Sequence, residues 1–67
     1  MKFMTTKELK AIYIPKFKHE LAEGLPEIAI VSMITQMRHV GQINTKEANI
    51  MADCLWIAKG ELREEAE

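Results

Sequence analysis

The sequence predicts an all-α fold, a compact three-helix domain, and three observations carry that reading. Two stretches, 29–40 and 48–62, repeat apolar residues at the three- and four-residue spacing of a buried helix stripe. Thr5-Thr6-Lys7-Glu8 and Asn44-Thr45-Lys46-Glu47 have the form of capping boxes, in which a side chain at each end satisfies a free backbone donor. Gly24 and Gly41 stand where the periodic stretches end, as helix-stopping glycines do.

The first helix starts after Thr5, with Glu8 closing its box and Met4 and Leu9 placed to staple its entry. Pro15 interrupts it, because proline lacks the N–H donor and its ring crowds the preceding turn. Residues 5–23 therefore read as one helix kinked at Pro15 or as two short ones split there. Ile14, Phe17 and Leu21 share a side. The strand-forming residues Ile12-Tyr13-Ile14 leave an extended stretch as the alternative at that point.

The second helix begins with Pro26 at its first position, where the missing donor costs nothing, and Glu27 suits the positive helix end. Ala29, Ile30, Met33, Ile34, Met37 and Val40 form its stripe, and Gly41 ends it. Ile28 and Val31 fall off that stripe. The third helix is capped by Asn44, with Ala48, Met51, Cys54, Leu55, Ala58 and Leu62 as its core stripe. Ile50 and Ile57 widen the stripe on one flank, Ala52 and Trp56 on the other. Gly60 ends or loosens the helix. Residues 61–67 hold four glutamates against Arg63, and acids at a helix C-terminus oppose the macrodipole, so fraying is expected there.

Sixty-seven residues make one domain at most. A chain this short buries about 60% of the surface its unfolded form exposes, so it needs help from disulfides, metals, dense packing or oligomerisation. Cys54 is the sole cysteine, which excludes an internal disulfide, and His19 and His39 have no ligand-spaced companions. No metal or cofactor is expected, and a homodimer is a physical option. The lone cysteine suits a reducing compartment. The N-terminal stretch lacks a signal-like apolar run, and the longest apolar run, Ile28-Ala29-Ile30-Val31, is far too short for a bilayer. A cytoplasmic protein without membrane contact is the expectation.

The net charge of −1 is unevenly spread. Residues 1–19 set five lysines against Glu8, while the end of the chain is acidic. Such asymmetry steers a charged partner or is simply a solvated surface.

Enzymatic chemistry finds no support in recognised motifs. Residues 36–47 have the glycine–isoleucine–glutamate spacing of half a calcium loop, but Arg38 and Val40 stand where oxygen ligands belong. Aligned as a DNA-binding helix–turn–helix at Gly41, the chain puts Met37 where a small residue belongs and Glu47 toward the core. Nucleic-acid binding by a transcriptional regulator remains the alternative, resting on the cationic N-terminal segment, with Tyr13 and Phe17 as stacking candidates.

Protein binding is the leading expectation. Five methionines give the chain adaptable apolar side chains that either fill a small core or serve a contact surface. Trp56 sits at the rim of its stripe beside Asn49, Ala52, Gly60 and Arg63, where it is either an interface anchor or a cover for the first helix. The expected interface residues are Trp56, Ile57, Met51, Ile28 and Val31. Lys10, Lys16 and Lys18 are expected to orient an acidic partner, whether a larger target or a second copy. Tiny proteins with no catalytic set are often adaptors or inhibitors, including those of phages and mobile elements.

Overall fold

The structure, a computed structural model, describes residues 5–66. They form three helices, α1 (Thr6–Ala22), α2 (Glu27–His39) and α3 (Thr45–Ala66), with no strand among the described residues. The all-α, three-helix expectation holds.

The helix ends follow local chemistry. The Glu8 backbone N–H donates to Thr5 Oγ1 and the Thr5 N–H to Glu8 Oε1, completing the first capping box. Its counterpart at α3 is tighter: the Glu47 N–H donates to Asn44 Oδ1 at 2.8 Å, and the Asn44 N–H to Glu47 Oε1 at 3.0 Å. The staple expected of Met4 lies outside the described residues.

Both α1 and α2 close with the same six-residue device. Leu25 N–H reaches back to the Glu20 carbonyl and Gln42 N–H to that of Met37, each across a left-handed glycine, Gly24 at φ +98° and Gly41 at φ +83°. Pro26 caps α2 from outside, one position earlier than expected. Gly60 does not stop α3, which runs through it.

Pro15 also fails to split the first segment: α1 is one helix, and residues 12–14 are helical. The reason is where the lost bond falls. Pro15 would have donated to Ala11, and both residues lie on the exposed side of α1, where water reaches the freed carbonyl. The opposite side carries Phe17, completely buried, with Tyr13 packed on it at 5.5 Å between ring centres.

One buried cluster draws on all three helices: Phe17 from α1, Ile30 and Ile34 from α2, and Ala48, Met51, Cys54, Leu55 and Ala58 from α3. α3 is the central element. It packs along α1 and against α2, while α1 and α2 touch only marginally. Lys18 reaches Glu61 and Glu65 and Lys10 lies by Cys54, so α1 and α3 run parallel. Glu27 pairs with Lys59 at 2.8 Å and Arg38 adjoins Ala48, so α2 runs antiparallel to them.

The acidic tail expected to fray is helical through Ala66, and Glu67 lies outside the described residues. Lys18 explains the difference. Its Nζ bridges Glu65 at 2.7 Å and Glu61 at 3.4 Å, so α1 adds positive charge to an end where Arg63 alone faces the glutamates. The hydrogen bond to Glu65, with the charges of both glutamates, holds the Lys18 ammonium above its ordinary value.

Candidate functional site

α3 offers its Met51–Leu55–Ala58 stripe to the core and leaves the opposite side open. On that side Asn49, Ala52, Trp56 and Arg63 follow at three-, four- and seven-residue steps, one line along the helix. Trp56 is 73% exposed, the largest apolar side chain left in solvent. It does not cover α1, which packs on another side of α3. Lys59 Nζ stands 5.4 Å from the indole centre while bonding to Glu27, so one lysine ties α3 to α2 and contacts the tryptophan.

α2 flanks this line. Val31, Ile34, Thr35 and Arg38 face Ala48, Asn49 and Ala52 across a shallow furrow of about 170 Å³ between the helices. Val31 is 45% exposed and Ile28, on the next strip of α2, is 73% exposed. The Thr35 hydroxyl is turned back onto the Val31 carbonyl at 3.0 Å, which leaves the methyl group outward and the strip less polar than its sequence suggests. Val31 lines this furrow, whose floor is small, built of Ala48, Ala52 and Asn49; Trp56 follows one turn beyond Ala52 on α3, and Ile28 stands one turn before Val31 on α2.

The other expected interface residues are elsewhere. Met51 is fully buried at the centre of the core and has no surface to offer. The same apolar periodicity that marks a contact surface marks a core, and here α1 and α2 fill it. Ile57 is half-buried and points about 100° around α3 from Trp56, so adjacency in sequence separates the two in space.

The lysines expected to form one cationic face also diverge. Steps of six and two residues put Lys16 about 120° from Lys10 and about 160° from Lys18 around α1. Lys10 lies by Cys54, Lys16 stands over the Tyr13 ring at 5.8 Å, and Lys18 is engaged by two glutamates. Phe17 is sealed in the core and Tyr13 is packed against it, so the expected base-stacking pair is not available as a pair.

Sequence reasoning set Arg63 beside Trp56 but counted neither it nor Arg38 among the charged contacts, and both border the open face. Arg38 stands seven residues beyond Val31 and Arg63 seven beyond Trp56, two helical turns that return to the same side. That spacing was the available signal. Arg63 lines a small recess with Trp56, Lys59 and Gly60, and Arg38 lines the furrow beside Asn49.

Cys54 is completely buried, and burial pushes its thiol pKa up against the opposing field of Lys10. Such a thiol is a poor nucleophile at neutral pH. Among the described residues no three His, Cys, Asp or Glu side chains are grouped to hold a metal ion, and no helix is long and apolar enough to cross a membrane.

Compared with known proteins, the chain matches no family model, no curated sequence and no solved structure.

Proposed function

We propose that this protein is a small non-enzymatic binding module that docks the α2/α3 face, anchored by Trp56, on another protein. The observation that carries the reading is a tryptophan 73% exposed on a helix, beside Lys59 and one turn beyond Ala52, whose furrow Val31 lines. A large aromatic side chain exposed beside a furrow between helices buries much apolar surface on docking, which is the property of an interface hot spot. An adaptor or inhibitor role fits a domain of this size. The buried, protonated Cys54 suits a reducing, cytoplasmic setting.

The test compares the full chain with Trp56→Ala and Val31→Ser variants as baits in an extract of the host cell. A direct partner is retained by the parent chain and loses about 2 kcal/mol or more of affinity with Trp56→Ala. Because Trp56 is the sole tryptophan, the same contact is read as a fluorescence change in the parent. Partners held equally by well-folded variants would overturn the assignment of the face.

A further inference from the structure

Charge identifies what the face accepts, on the reading that it is a docking face. Its carboxylates near the apolar rim are Glu27, already paired with Lys59 at 2.8 Å, and Asp53, exposed three residues before Trp56, against the three cations Arg38, Lys59 and Arg63. Arg38 and Arg63 have no ion-pair partner among the described residues, and each adjoins the apolar surface. Since α2 and α3 are antiparallel, the two arginines mark opposite ends of the face. Arg38 lies beside Asn49, so its distance from Arg63 along α3 is about fourteen residues, roughly 21 Å.

We propose that the occupant is an amphipathic helix of a different protein, with an apolar stripe in its middle and carboxylates near both ends. The floor of Ala48, Ala52 and Asn49 gives a helix backbone room to approach, with Val31 and Thr35 along the α2 side of the furrow and Trp56 one turn beyond Ala52 on α3. Guanidinium groups hold carboxylates in a two-pronged geometry and give up water more readily than ammonium groups do. The acids of the occupant are spaced about three to four turns apart to meet both arginines.

A second copy of this chain fits less well. In a two-fold pairing each face meets the same face, so Arg38, Lys59 and Arg63 would meet their own counterparts against only Glu27 and Asp53, a net positive surface facing itself. The acids of the α3 tail are no substitute, because Glu61 and Glu65 are turned toward Lys18 on α1. Nucleic acid would satisfy the arginines but not the aliphatic part of the face, Ile28 and Val31, which has no hydrogen-bonding partner for a base edge.

The experiment selects from a display library of helical peptides about eighteen residues long, varied in charge and apolar spacing, on the full-length chain. Enriched peptides are expected to carry Asp or Glu near both ends of an i, i+3, i+7 apolar stripe. Their affinity, read from Trp56 fluorescence, should fall about tenfold or more in the Arg38→Glu/Arg63→Glu variant and recover when the peptide acids become lysines. Enriched peptides that need Trp56 yet show no acidic ends, or no response to charge reversal, would overturn the acidic occupant and leave the docking face standing. Selection that yields no binder, or binders indifferent to Trp56→Ala and Val31→Ser, would overturn the face itself. Two further results would also refute the acidic helix: a doubled mass of the free chain at micromolar concentration that Val31→Arg abolishes, and preferential binding of a single-stranded oligonucleotide at the same face.

Discussion

Met51 and Trp56 stand five residues apart on α3 and are both large and apolar, yet the structure assigns them opposite energetic roles. Met51 is 0% exposed and Trp56 73%. Truncating a fully buried methionine to alanine costs about 2–5 kcal/mol, because the transfer energy and the cavity add. A chain of this length has a total stability of about 3–10 kcal/mol, so Met51→Ala should remove about a fifth of it or more. Trp56→Ala removes little burial and one cation–π contact with Lys59, about 1 kcal/mol or less. Urea unfolding followed by far-UV circular dichroism measures all variants on one scale, without relying on the tryptophan. Met51→Leu, which keeps volume, serves as control and should cost under about 1.5 kcal/mol. A Trp56→Ala loss of 2 kcal/mol or more, or a Met51→Ala loss under about 1 kcal/mol, would refute the division of α3 into a core side and a free side.

The tail of α3 depends on Lys18. Lys18→Met should raise amide hydrogen exchange at residues 61–65 while leaving exchange around Met51 unchanged; protection retained in the tail would show that Lys18 does not hold it. Because the Lys18 pKa is raised in the fold, its contribution is complete below the unfolded value of 10.5 and disappears as pH climbs through the higher folded value. Helix content near the C-terminus should therefore hold from neutral pH to about 10.5 and decline beyond it, and a loss well below that pH would point to another tether. Gly60→Ala should stabilise by about 0.5–1 kcal/mol, since the residue is helical and a methyl group there meets nothing within 4 Å. Gly41→Ala should instead destabilise by about 1–2 kcal/mol, because its φ of +83° strains any L side chain; equal effects on thermal unfolding at the two sites would contradict the helix ends described. Cys54 should react with an aromatic disulfide reagent only as fast as the fold opens, and rapid modification of the native chain would place the thiol at the surface.

What the sequence disclosed divides along a physical line. Capping boxes and glycine stops are short-range and chemically specific, so the starts of α1 and α3 and the ends of α1 and α2 were legible to within a residue. Pro15 and Gly60 misled because their effect depends on surroundings. A proline on the solvent side of α1 leaves its orphan carbonyl to water, and a glycine inside α3 stands between the buried Ala58 and the glutamates tied to Lys18. The fraying expected of residues 61–67 required knowing that Lys18 lies across from them, 43 and 47 residues earlier in the chain. Among the candidate residues Trp56, Val31 and Ile28 could be separated from the core by helical phase alone. Met51 could not, because a core stripe and a contact stripe have the same period. The lysine cluster failed by the same geometry that would have found Arg38 and Arg63: nearness in sequence was read as nearness in space, when only steps close to whole turns share a side.

The face also limits how tightly it can bind, and the limit is testable. Burying the exposed part of Trp56 contributes about 3–4 kcal/mol, that of Ile28 about 1–2 and that of Val31 about 1. These sum to roughly 6 kcal/mol before the loss of translational and rotational freedom, which costs about 4 kcal/mol at the least. Apolar contact alone would then leave a complex weaker than about millimolar, since 1 mM corresponds to about 4 kcal/mol. Useful affinity has to draw on Arg38 and Arg63 and on whatever the partner itself buries. Binding should therefore be micromolar or weaker for a single helical segment and should weaken as salt screens the arginines over a Debye length of about 8 Å. Calorimetric titration of one such segment at low and high salt decides the matter. A nanomolar, salt-insensitive complex would mean that residues beyond Trp56, Val31, Ile28 and the two arginines carry the interaction.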